Sequence, residues 1–309
     1  MKTSSRLFAY TRMDAIPVLC AVAHFAYVLF LFYLFPTAPW WLLIILGLIY
    51  SVAIDWNISS IAHNLIHNPY FRWKPLNYAF SLLESVTMGF SQMFYDQIHT
   101  RHHMGNSDRK NENGETTDWL SIYRHSHDDE PESVWKYTFL GYFRDDPRKI
   151  FREIKRKKSF DAYFGVFEIA SWVCIMAVAA WFNWKFLLYY LPFYYFGHCL
   201  AFLNGYYRHY GGNPDEPIAW GVSSYHRLYN WTWFNAGYHA EHHFRPKVHW
   251  TEMKLLRDRI VEEQRCAGTR VIAPPHALGF LHHEPARQDS TTATPESGSE
   301  TSRSAPAGL

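Results

Sequence analysis

Four apolar stretches of membrane-spanning length set what this chain can fold into. They run from Ile16 to Phe35, Trp40 to Ala62, Ala162 to Phe182 and Phe186 to Gly205. A helix of about 20 residues rises ~30 Å, the thickness of a bilayer's hydrocarbon layer. Inside that layer every backbone polar group needs an internal partner, and a helix supplies one. Pro36-Thr-Ala-Pro39 joins the first pair of stretches, and Asn183-Trp184-Lys185 joins the second. Such short links predict an all-α membrane protein with four transmembrane helices in two hairpins. The mean hydropathy of −0.24 looks soluble only because a charged body and tail dilute these segments.

The charge is unevenly placed. Thirteen Lys or Arg residues lie between Arg101 and Lys158, ending in Lys155-Arg156-Lys157-Lys158, and Lys2, Arg6 and Arg12 precede the first stretch. Segments rich in Lys and Arg resist translocation, so both termini and the large polar body are expected to be cytoplasmic. A net charge of +2 gives no indication of a nucleic-acid partner. The cysteines Cys20, Cys174, Cys199 and Cys266 form no CxxC pair and read as structural thiols. No small-residue cleavage site follows the first stretch, which therefore reads as a retained helix. Residues 1–286 are expected to form one integral-membrane domain. Arg287 to Leu309, rich in Ser, Thr, Pro, Gly and Ala, reads as a disordered tail.

Chemistry enters with histidine. His99-Thr-Arg-His102-His103 and His239-Ala-Glu-His242-His243 repeat one pattern, and His63-Asn-Leu-Ile-His67 lies upstream. Histidines at i, i+3 and i+4 share one helix face, so each cluster aims several imidazoles at one point. His209, just past the fourth stretch, adds a ninth candidate ligand. Nine imidazoles exceed the needs of one ion and suit two metal ions with open positions. One shared site requires all the clusters to lie on one side of the membrane. Leu76 to Ile98 separates the first two clusters and carries Glu84, Ser85, Thr87, Ser91, Gln92 and Asp96. It is therefore expected to be an interfacial or re-entrant helix rather than a fifth span.

The three histidine clusters, with Asn235-Ala-Gly-Tyr-His-Ala-Glu-His-His243 and the following Pro246, resemble the boxes of the membrane-bound fatty acid desaturase-like superfamily. Tyr207 to Gly211 is similar to a motif of alkane hydroxylases within it. The resemblance spans the first stretch to about Trp250. The first box here has three residues between its histidines, and hydroxylase-type boxes containing glutamate are absent. The resemblance implies a cytoplasmic helical cap holding two iron ions on histidine, with molecular oxygen as cosubstrate. It implies oxidation of an unactivated C–H bond in a lipid-like substrate, with fatty acyl desaturation as the leading reading. Hydroxylation, ketolation and oxidative decarboxylation are the alternatives within the same chemistry. The chain has no fused cytochrome or ferredoxin motif, so electrons are expected from an external carrier such as a ferredoxin, rubredoxin or cytochrome. A histidine-rich membrane metal-binding or transport protein is the alternative of another class. Its polar residues should line every span, whereas here the histidines gather at one end.

Metal-bound histidines are commonly oriented by a carboxylate on the other ring nitrogen. Asp55, eight residues before His63, is the first candidate for that role, followed by Asp96, Asp118 and Glu241. His24 and His198, inside apolar stretches, read as core residues, and His125 and His127 as surface residues. The aromatic run from Tyr189 to Phe196 reads as packing or lipid-facing rather than as a tunnel wall.

Overall fold

A computed structural model describes residues 6–104, 108–127 and 130–282. The expected tail lies outside the described residues. Nearly all regular structure is helical. Among the described residues, three helices are long and apolar enough to cross a membrane: Arg12–Leu34, Trp40–His67 and Ser159–His209.

The first of these is essentially α1 (Ala15–Leu34), entered through a short 3-10 turn whose Thr11 and Asp14 cap each other's backbone. The second joins α2 (Trp40–Trp56), a π-helical turn (Asn57–Ala62) and α3 (His63–His67) without a break. Tyr27 of α1 donates its hydroxyl to the Leu46 carbonyl of α2, 2.9 Å away, which closes the first hairpin.

The segment that the sequence presents as one surface helix is broken in two. It forms α4 (Lys74–Met88) and α5 (Gln92–His102), parted at Gly89. Gly89 has φ +74°, and a Cβ there would stand 2.5 Å from the Tyr194 ring. Both the backbone and the space therefore require glycine at this break. Ser91 then caps α5 by accepting from the Phe94 amide.

Two short cap helices follow, α6 (Val134–Leu140) and α7 (Pro147–Lys157), before α8 (Ser159–His209). Asn183 interrupts α8 with φ −157° and ψ 87°, at the link between the third and fourth apolar stretches. Trp172 and Tyr194 stack with ring centroids 5.5 Å apart. In one straight helix those 22 positions would span about 33 Å. The helix therefore doubles back at Asn183 into arms 159–182 and 184–209. Tyr50, Ile54, Phe186, Tyr190 and Tyr194 form the core between the second arm and α2. Tyr189, Tyr190, Phe193 and Tyr194, from the run between positions 189 and 196, thus pack or hydrogen-bond inside the bundle.

Glu168 of the first arm is fully buried. It accepts from Ser81 Oγ of α4 at 2.5 Å, Ser91 Oγ at 2.6 Å and the Met93 amide at 3.1 Å. One carboxylate thus ties the start of α5 to α8. The rest of the cap comprises α9 (Arg227–Thr232), α10 (His239–Phe244), α11 (Met253–Cys266) and a parallel pair, β1 (Ser223–Ser224) with β2 (Val271–Ile272). His249 and Trp250, after α10, both donate to the buried Asp14 carboxylate, which locks the cap to the foot of α1.

Candidate metal centre

The fold carries each histidine cluster on a separate helix end. His63 and His67 share a face of α3, and His99 and His102 lie on the last turn of α5, with His103 as its C-cap. His209 ends α8, and His239, His242 and His243 lie on α10. The six-residue α10 is held in place from outside. Buried Glu241 accepts from Ser223 Oγ and Tyr225 Oη, each at 2.7 Å, and the Ala240 amide donates to Ser223 Oγ. The turn before it depends on Asn235 at φ 60° and on Gly237, whose Cβ would lie 2.3 Å from the Ser224 carbonyl.

All nine histidines converge, in two groups. His63, His67, His99, His103 and His242 form one, and His102, His209, His239 and His243 the other. Within each group the ligand nitrogens all lie within 4.8 Å of one another. The groups adjoin, with the rings of His103 and His243 stacked at 4.2 Å.

The donor set fits metal ions better than it fits hydrogen bonds among imidazoles. Nε2 atoms face one another: His67 to His99 at 2.8 Å, His99 to His103 at 3.0 Å, and His103 to His242 at 3.1 Å. In the second group His239 stands 3.0 Å from both His209 and His243. A ring nitrogen offers either one proton or one lone pair, so it cannot serve two such neighbours well. His63 Nε2 is buried with no partner. Nitrogens about 2.1 Å from an ion and at right angles lie roughly 3.0 Å apart, while tetrahedral directions place them about 3.4 Å apart. The observed spacings match the right-angled arrangement, and five nitrogens also exceed the four ligands of a structural zinc. Burial, reinforced by neighbouring imidazoles, holds His99, His103, His239, His242 and His243 well below the usual histidine range. They are neutral near pH 7, the state in which imidazole binds metal.

The four candidate acids separate clearly. Asp118 accepts from His102 Nδ1 at 2.7 Å, with both side chains almost completely buried. This contact fixes the tautomer that leaves Nε2 free to face the second group. Asp55 touches no histidine; it accepts from Ser59 Oγ at 2.9 Å and Asn204 Nδ2 at 3.1 Å. Eight residues separate it from His63, about 12 Å along a helix, so a shared direction does not become contact. It clamps α2 to the arm that carries His209. Asp96 is exposed and accepts from Thr100, one turn along on the outer side of α5. Glu241 braces α10 against β1 as described. For Asp55, Asp96 and Glu241 the expectation of orienting a histidine is therefore corrected.

Two neighbours escape a sequence reading. Trp220 is buried against the second group, its ring 4.4 Å from His243, 5.4 Å from His102 and 5.5 Å from His209. Arg208 is also buried, and its Nη2 donates to the Ser59 carbonyl at 3.1 Å. Its place beside His209 is the only sequence signal for it.

A cavity of about 450 Å³ opens against both groups. His63, His99, His102, His209 and His239 form one side, and apolar residues including Ile58, Phe94, Ile98, Ile169 and Phe202 form much of the rest. A mostly apolar chamber with convergent polar groups at one side is the form of a small-molecule site.

Comparison with curated proteins finds no match. The profile of the fatty acid desaturase family matches residues 37–273, which include every histidine of both groups. With its long apolar helices and paired histidine groups, the chain belongs to the fatty acid desaturase family of membrane oxidoreductases.

Proposed function

We propose that the protein is an oxygen-dependent di-iron oxidoreductase that oxidises C–H bonds of a lipid-like chain, with fatty acyl desaturation as its reaction. The convergence of nine histidines, seven of them buried and two half-buried, beside an apolar cavity carries this reading. One iron belongs to the group of five and one to the group of four. When bound, the metal pair supplies oxygen activation with electrons from an external ferredoxin, rubredoxin or cytochrome. The chain's own residues do the rest. Asp118 holds His102 in the ligating tautomer, Glu241 holds α10 in place, and the apolar walls exclude water and align an alkyl chain.

The doubled-back α8 supports a bundle of four crossings, with both termini and the metal centre on the cytoplasmic side. The Lys/Arg excess of the central body favours that orientation. A metal-transport role is disfavoured because all nine ligands gather at one end of the helices, leaving no ladder of ligands through them.

Full-length protein loaded with iron under anaerobic conditions tests the proposal. The expected result is two irons per chain and, on adding oxygen, a reductant and deuterated acyl lipids, an alkene product. His102→Ala and His242→Ala should each abolish turnover while the protein still inserts in membranes. A zinc-only preparation with full turnover would refute the di-iron reading.

A further inference from the structure

His198 and Tyr142 lie in the cavity wall away from the histidine groups. His198 is eleven residues before His209 on the second arm of α8. Eleven residues of α-helix return to nearly the same face about 16 Å along the axis. Phe202 and Gly205 lie between them on that face, and all four residues line the cavity. A Cβ placed on Gly205 would meet nothing within 4 Å, so the glycine leaves open space midway. The cavity thus extends along one helix face from the metal centre to a polar far end.

The hydrogen bonds at that end fix its polarity. His198 Nε2 donates to the Met88 carbonyl at 3.0 Å. A charged imidazole buried without a carboxylate partner would be costly, so the ring is neutral and Nδ1 carries a lone pair. Among the described residues Nδ1 has no hydrogen-bond partner, and the His198 ring lines the cavity. Tyr194 donates its only hydroxyl proton to the Gly89 carbonyl at 3.0 Å. The 2.7 Å contact between the Tyr142 and Tyr194 hydroxyls is therefore a donation from Tyr142. Tyr142 Oη keeps an unused lone pair beside the His198 ring, whose centroid is 4.8 Å from its own. Both atoms are acceptors, and neither has a proton left to give.

We propose that this far end binds the hydroxyl group of the substrate, so the lipid oxidised here carries an alcohol at the end that enters the cavity. The inference rests on the oxidoreductase reading and replaces the acyl headgroup of that reading with an alcohol. An ester, thioester, ether or ionised carboxylate brings only acceptors, whereas a hydroxyl supplies the missing donor. An extended alkyl chain advances about 1.25 Å per carbon, from bonds of ~1.5 Å and angles of ~111°. A hydroxyl seated at His198 therefore sets the reacting carbon within about 13 carbons of it.

The test uses full-length iron-loaded protein in nanodiscs with three probes: 1-hexadecanol, its methyl ether and hexadecane. Binding is read as the probe concentration that gives half-maximal thermal stabilisation, and turnover by mass spectrometry of products. The alcohol is expected to half-saturate at about one-tenth the concentration of the ether, the effect of one buried acceptor gaining its donor. Tyr142→Phe and His198→Phe should each shrink that ratio. Tyr142→Phe keeps the ring packing, so it decides the matter if His198→Phe does not fold. Equal binding of alcohol and ether by the parent, or an unchanged ratio in Tyr142→Phe, overturns the hydroxyl site. Oxidation of hexadecane and the ether as readily as the alcohol refutes the hydroxyl site and leaves the oxidoreductase reading standing. A clear alcohol preference with no oxygen-dependent product does the reverse.

Discussion

Asp118→Asn keeps the volume of the side chain and removes one acceptor. In the parent, one carboxylate oxygen accepts from His102 Nδ1 and the other from the Leu120 amide, both at 2.7 Å. An asparagine has a single acceptor oxygen and cannot serve both. If the oxygen stays with Leu120, the amide NH2 faces His102 and forces its proton onto Nε2, which removes the lone pair the second group uses. If the oxygen turns to His102, the Leu120 amide loses its partner. A buried group left unpaired costs about 1–3 kcal/mol, and loss of a carboxylate behind a metal-bound histidine typically weakens affinity about 10–100-fold. The two ranges agree, since tenfold corresponds to about 1.4 kcal/mol. The predicted outcome is iron affinity lower by about that factor, one iron per chain being lost before the other on chelator titration. Metal analysis across the titration measures this, and circular dichroism checks that helix content is retained. Parent-like retention of both irons would refute the assigned role of Asp118.

Glu84 gives a pH-dependent counterpart. It is fully buried, and burial pushes its carboxyl up to about 8. The folded state thus keeps a proton that the unfolded chain gives up near an ordinary glutamate value, so stability falls as pH rises between those two values. Glu84→Gln should abolish that fall and raise Tm at pH 8 by the equivalent of a few kcal/mol, with little change at pH 5; parallel pH profiles for the two proteins would refute it. Gly205→Phe should fill the middle of the cavity, leave metal content intact and lower turnover of long chains at least tenfold relative to short ones. Product analysis over a chain-length series checks that, and an unchanged length profile would mean substrate does not pass Gly205.

The histidines were legible because their spacing is local. A turn of helix is enough to place i, i+3 and i+4 on one face, and the apolar lengths on either side limit where those turns lie. The acids were harder for the opposite reason. Asp118 lies in a loop whose path to His102 no periodicity predicts. Asp55 finds its partner in Asn204, on a helix 149 positions away. The break at Gly89 was hidden because an apolar run with scattered polar residues reads alike whether it is one helix or two. It becomes necessary only when the Tyr194 ring occupies the space a side chain would need. His198 has the composition of a core histidine, and its role depends on which ring nitrogen the Met88 carbonyl engages.

The Glu168 tie gives the metal centre a mechanical address. The helix carrying His99, His102 and His103 starts on a carboxylate that belongs to the first arm of α8. An apolar helix adjusts its tilt to the thickness of the surrounding bilayer. A change in tilt of that arm pulls on the start of α5, three helical turns from the histidines at its other end. Lipid thickness thereby becomes a variable of the active site, acting through strain rather than through any bound ligand, and the same protein should work at different rates in thin and thick membranes.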